Sequence, residues 1–170
     1  MDAYAPAALI DALEDVLVNT LALARELSPE QAELPTDCPG WTVRDQLSHI
    51  VALEQQLQGS PNVPLELPDL PHVTSDFDRF TEVGVHARRF LPIAAVADEL
   101  AGLLPRRIGA LRQQLGGGDD PEIDSPFGVR PMSKALPIRI FDTWTHEQDI
   151  RRAVGAPVRT DGLAAEIALR

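Results

Sequence analysis

Three side chains in this sequence carry chemistry at a telling spacing: His49, which ends the segment GWTVRDQLSH, and Asp142 with His146 in FDTWTHEQDIRRAVG. Residues four apart on a helix lie on the same face, so Asp142 and His146 can offer a carboxylate and an imidazole to one point. A donor from a second helix would complete a cation site, and His49 is of the right type. Two imidazoles and one carboxylate suit zinc, with iron, nickel or manganese as alternatives, and three protein ligands leave at least one coordination position open for chemistry. The competing reading is plain. An aspartate and a histidine four apart also make a surface ion pair, and short helical motifs match by chance.

The elements that must position these residues are helical. Residues 7–27 carry Leu9, Leu13, Val16, Leu17, Leu21, Ala24 and Leu27 at helical spacing, with charged residues between them. Ser28 and Pro29 open a turn, and Pro35 to Gly40 form a loop. Thr42 followed by Asp45 reads as an N-cap with a partner at the third helical position, predicting a second helix over Val43–Leu57. Gly59, Ser60, Pro61, Pro64, Pro68 and Pro71 then predict a long irregular connection, uncommon in compact domains unless it covers a site. Helix formers return over Asp76–Phe90 and Ile93–Leu115, separated by Pro92, with Pro105 expected to kink the latter. Gly116 to Gly118 give a flexible link. Ser133 is expected to cap the last long helix, which ends at Val154 with Gly155 as its C-terminal stop. Thr160 or Asp161 can start one more helix in LAAEIALR. No segment alternates long enough to build a sheet. The expected fold class is all-α, a four-helix bundle with a long loop after the second helix and an additional C-terminal helix; in such bundles, sites are built from side chains on facing helices.

Length and composition fit one compact domain: 170 residues and 44% hydrophobic content are enough for one sizeable core. A net charge of −11 argues against nucleic acid as a partner, because a phosphate-backbone binder needs a clustered basic face. No apolar run is long enough to span a membrane, and the start MDAYAPAAL lacks a secretory signal. A single cysteine, Cys38, excludes an internal disulfide framework and suits a reducing cytoplasm; it reads as a bystander in a turn rather than a nucleophile. The expected localisation is cytoplasmic. Fourteen of the fifteen Lys and Arg residues are arginine, a bias compatible with a GC-rich genome. An apolar helix face could also support a homodimer.

On the second helix the apolar stripe is Val43, Leu47, Ile50, Leu53 and Leu57, with His49 at its edge in line with Gln46. Glu54 falls within the stripe and is expected to be buried, which requires a partner: an arginine, a ring proton or a metal. On the last helix Asp149 shares a face with Asp142 and His146. Glu54 and Asp149 are therefore the candidates for catalytic roles, moving protons or orienting a ligand imidazole through its other nitrogen. An ion pair for Glu54 and surface charge for Asp149 are the alternatives. His72 in the proline-rich loop and His86 beside Arg88 and Arg89 read as solvated. Trp41 and Trp144 read as packing residues, or as walls of a cleft. Arg151 and Arg152 suit the negative end of the last helix.

Taken together, GWTVRDQLSHIVALEQ and FDTWTHEQDIRRAVG resemble the metal-binding N-terminal domain of the mycothiol-dependent maleylpyruvate isomerase family, within the DinB-like superfamily of four-helix bundles. The resemblance covers most of the chain. It implies a metal held by His49, which closes a W-T-V-x-D-x-x-x-H segment, and by Asp142 and His146 on the last bundle helix. The family's isomerase has glutamate where this chain has Asp142, one methylene shorter, a difference that bears on metal preference. The resemblance further implies a divalent metal, zinc first, and mycothiol or another low-molecular-weight thiol as cofactors, with a small-molecule substrate. A metal-activated thiolate would attack an electrophile, giving an isomerase or an S-transferase. A metal-bound water would give a hydrolase, and a vestigial site a non-catalytic binding module. The implied bundle spans 1–158, and 159–170 read as the start of a further segment in a truncated chain. The family's full isomerase also has a second domain that helps form the active site, for which 170 residues leave no room.

Overall fold

The computed structural model describes residues 4–170. The chain order is α1 (Pro6–Glu26), the short α2 (Pro29–Ala32), α3 (Val43–Gln56), α4 (Asp76–His86), α5 (Ile93–Gln114), β1 (Glu122–Ile123), β2 (Arg130–Pro131), α6 (Met132–Val154) and α7 (Gly162–Ala168). The four long helices form the bundle: α1 packs on α5 and α6, and α3 packs on the same two from the opposite corner. Around this frame α4 lies against α3, and α7 against α6 and α1. The expected all-α class holds.

Caps explain several of the boundaries. The Thr42 hydroxyl accepts from the Asp45 amide while the Asp45 carboxylate accepts from the Thr42 amide, a reciprocal box that fixes the start of α3. Ser28 and Gln31 make the same arrangement and extend the expected turn into α2. At the far end Gly155 takes a left-handed conformation at φ 72° and its amide closes onto the last turn of α6. Asp161 precedes α7, as its sequence position suggests.

Three expectations are corrected. Ser133 does not cap α6: Pro131 is the N-cap, and the Ser133 amide and hydroxyl both donate to Asp120 at 2.9 and 2.7 Å. The loop before the helix thus supplies the capping carboxylate. Helix α4 stops at His86 rather than Phe90, because the Arg88 side chain turns back to donate to the Gly84 carbonyl and the backbone closes into tight turns ahead of Pro92. A two-residue antiparallel pairing, Glu122 with Pro131 and Ile123 with Arg130, also appears where no strand was expected. It closes a hairpin around the Ser125–Gly128 turn.

The core divides by chemistry. Helix α1 supplies an apolar face of Leu9, Ile10, Leu13, Val16 and Leu17, all fully buried, against Leu100, Leu103 and Leu111 of α5 and Leu136 and Ile140 of α6. Ala164 and Ala165 of α7 are buried beside that core. The α3 side is different. There Gln46, His49 and Glu54 of α3 and Arg139 and Asp149 of α6 are buried polar groups, joined by Arg107 from α5. Helix α4 comes close to α3 at Gly84, where an added Cβ would collide with that of Ala52. Gly84→Val should therefore destabilise the protein by about 1–3 kcal/mol through overpacking, seen as a lower denaturant midpoint with an unchanged slope.

Candidate metal centre

His49 sits in the middle of α3, held in register by the Thr42–Asp45 box two turns before it, and Asp142 and His146 sit on the facing side of α6. One ligating atom from each lies within 4.8 Å of the other two. His49 Nε2 is 3.4 Å from Asp142 Oδ2, and His146 Nε2 is 3.6 Å from Asp142 Oδ1. The two imidazoles meet edge to face with centroids 4.6 Å apart. Neither ring nitrogen of His49 has a hydrogen-bond partner although both are buried. A buried polar atom without a partner is costly, and a cation beside Nε2 would satisfy it. The donor set fits a divalent metal on this ground.

The protonation states favour ligation. Burial pushes the pKa of His49 down, outweighing the opposing pull of Asp142, so its imidazole is neutral and keeps a lone pair. Burial alone would raise the Asp142 carboxyl, but the Arg139 guanidinium and the two imidazoles hold it well below the usual carboxylate range. Arg139 donates to Asp142 Oδ2 at 2.8 Å.

For His146 the tautomer follows from a chain of partners. Its Nδ1 meets Gln46 Oε1 in a short hydrogen bond. The amide nitrogen of Gln46 donates to Thr36 Oγ1 at 2.8 Å and to Asp149 Oδ2 at 3.3 Å. An ionised carboxylate only accepts, so the atom of Gln46 beside Asp149 must be the NH2 and the atom facing His146 must be the oxygen. That oxygen requires a proton on Nδ1, which leaves the Nε2 lone pair facing Asp142 and His49. Arg152 in turn bonds Asp149, so it serves this network as well as the last turn of α6.

The two carboxylates singled out in the sequence lie beside the trio. Glu54 is fully buried and contacts neither imidazole: Arg107 donates to one oxygen at 2.7 Å and Arg139 to the other at 2.9 Å. Burial would raise its pKa, but the two guanidiniums bring it below the ordinary value. Asp149 is also buried and reaches His146 only through Gln46. The expectation that either carboxylate touches a ligand imidazole is corrected. Gln46 does so, and the sequence signal was its place one turn before His49 on the same edge of α3.

The trio lies on the wall of a cavity of about 590 Å³ shared with Trp41, Leu53, Ile138 and Arg139. Trp41 lies tilted beside both imidazoles, with centroid distances of 5.0 and 5.8 Å, and its indole N–H donates to Glu82 at 2.8 Å. The solvated reading of His72 is corrected too. Its Nε2 lies 3.0 Å from the buried Glu82 carboxylate, and the ring lines the cavity. Gly40, at φ 79°, makes room for it, since a Cβ there would run into the ring. His86 is partly buried and stands apart from the trio. Cys38 lines the same cavity, where burial, with Asp149 and Glu82 nearby, pushes its thiol up to about 11.

Residues 13–151 match the family model for the mycothiol maleylpyruvate isomerase N-terminal domain. The chain belongs to that family. Among solved structures it is similar to a crystal structure of the mycothiol-dependent maleylpyruvate isomerase, with a TM-score of 0.68 and 15% identity, covering 98% of this chain and 67% of that one. A histidine-to-alanine mutant of the isomerase gives a TM-score of 0.65 with the same identity and coverage. No curated protein matches the chain. At this identity the likeness establishes the fold of the family and no more. No helix among the described residues is long and apolar enough to cross a membrane.

Gln46→Leu should weaken cation binding about 10- to 100-fold, as expected for loss of a group that orients a ligand imidazole. Asp149→Asn, which lets the Gln46 amide turn over, should weaken it less; competition with a chelating dye measures both. The pH dependence of folding follows from His49. Its folded pKa lies below the ordinary value of about 6.5, so below that pH the unfolded chain takes up a proton that the folded chain refuses. The metal-free protein should therefore lose stability as pH falls from 7.5 through about 6. Urea midpoints across that range should fall less steeply in His49→Gln.

Proposed function

We propose that this chain is a metal-dependent, thiol-using enzyme of the isomerase or S-transferase type, acting on a small electrophile. The observation that carries the reading is the convergence of His49, Asp142 and His146 on one point of a cavity wall, with the buried Nε2 of His49 lacking a hydrogen-bond partner. His49, Asp142 and His146 would hold the cation, with zinc the ion best suited to two imidazoles and one carboxylate. A divalent metal there would favour thiolate over thiol at neutral pH and so supply a nucleophile.

The rest of the work falls to the protein's own groups. Gln46 fixes the His146 tautomer, and Asp149 fixes Gln46. Arg139 keeps Asp142 ionised and in place, and Glu54 keeps Arg139 charged and oriented. Glu54 and Asp149 are thus positioning residues in this reading. The Trp41 indole and the Leu53 and Ile138 side chains exclude water from one side of the trio. Burial and the nearby carboxylates push the Cys38 thiol up to about 11, so in this reading the reacting sulfur comes from outside. Mycothiol is the thiol that the family's name points to, and the isomerase of similar fold is mycothiol-dependent.

Native purification should yield one equivalent of divalent metal, lost in both His49→Ala and His146→Ala. Trace metal unchanged by both substitutions would reject the site. In the cobalt-substituted protein, mycothiol or N-acetylcysteine should shift the visible spectrum toward sulfur ligation; an unmoved spectrum would remove thiol chemistry from the reading.

A further inference from the structure

Charge on the cavity wall limits what can enter. Among its lining residues Asp78, Glu82 and Asp142 are carboxylates, and Arg139 is the one guanidinium. Counting these carboxylates and this guanidinium, the wall carries two net negative charges. Arg139 is turned toward the protein: it is 1% exposed and held between Glu54 and Asp142. The nearest cations behind the wall are paired with carboxylates of their own, Arg89 with Glu82 and Asp45 and Arg107 with Glu54. A bound divalent cation would bring the wall to neutrality, and a thiolate on it would return the balance to negative. A dicarboxylate substrate would then meet no free counter-charge among these lining residues, and burying an unpaired anion is strongly unfavourable.

The apolar part of the wall favours another guest. Phe77 at the start of α4 and Phe127 in the hairpin turn stack with centroids 6.1 Å apart and planes at 11°. Phe141 joins them on the wall from α6. Each ring is about half exposed, at 53, 54 and 51%, an unusual investment of large apolar surface at the edge of a cavity. The three belong to separate segments and converge only through the fold. Flat rings of this kind grip flat apolar groups by stacking and by burial.

We propose that the cavity selects a neutral electrophile carrying an aromatic or similarly flat apolar group, seated against Phe77, Phe127 and Phe141, and discriminates against dicarboxylates. The proposal rests on the thiol-using reading of the site and names its substrate class. Binding rather than turnover separates the two. Equilibrium dialysis of the protein, as purified with mycothiol and after chelation, would compare 1,3-dinitrobenzene, a neutral unreactive aromatic, with maleate, a small dianion. Dinitrobenzene should saturate one site in both forms, and maleate should bind at least about tenfold more weakly in the mycothiol-treated form. Phe77→Ala with Phe127→Ala, and separately Phe141→Ala, should each weaken dinitrobenzene about tenfold or more, with unfolding midpoints reporting that the exposed substitutions leave the fold intact. Phe141→Arg should improve maleate binding. Maleate binding as tight as dinitrobenzene with mycothiol present, or dinitrobenzene binding indifferent to all three rings, would overturn the proposal. Metal content of the same samples reports independently on the metal site, and the chelated arm tests the rings even without metal.

Discussion

A single buried carboxylate, Glu54, organises the polar half of this bundle. It has no contact with water and receives Arg107 from α5 on one oxygen and Arg139 from α6 on the other, tying three helices through one group. Such an arrangement contributes little net stability, because desolvating three charged groups offsets much of their attraction. What it gives is position. Arg139 is held rigidly enough to reach Asp142, and Asp142 lies between two imidazoles. Replacing the network with hydrocarbon would leave a bundle of the same shape whose central aspartate had nothing to fix its orientation or its charge.

A second chain of contacts runs in parallel from the loop before α3. Thr36 and Asp149 accept from the Gln46 amide, and Gln46 accepts from His146. The two chains reach the site from opposite ends of α6, one through Arg139 and one through Asp149. Between them they set the charge of the aspartate and the tautomer of one histidine. The other histidine, His49, is set chiefly by burial, against the pull of Asp142. Three candidate ligating groups are thereby prepared by three different physical means, which separates this constellation from a chance ion pair on a helix surface.

Much of this was legible in the sequence, and the limits of legibility are instructive. Local signals worked where the physics is local: the Thr42–Asp45 box, the Gly155 stop and the apolar stripe of α1 all depend on neighbours within a few residues. The spacing of Asp142 and His146 placed both on one face for the same reason. The signals failed where a partner came from far along the chain. Ser133 resembled a cap, but Asp120 is the group that caps α6. His72 looked solvated in a proline-rich loop, yet Glu82 of α4 binds it and draws it onto the cavity wall. Gln46 was visible as a neighbour of His49, but its function depends on His146, a hundred positions away. The aromatic rim is the extreme case, since Phe77, Phe127 and Phe141 share no periodicity at all.

The placement of Cys38 has a consequence for durability. A chamber in which thiols and electrophiles meet would alkylate any nucleophile of its own, and this protein keeps a sulfur on the chamber wall. With its pKa pushed up to about 11, only on the order of one molecule in ten thousand carries the reactive anion at neutral pH. Negative charge and burial around that sulfur act as insulation against the very reagents that the proposed reaction would bring in.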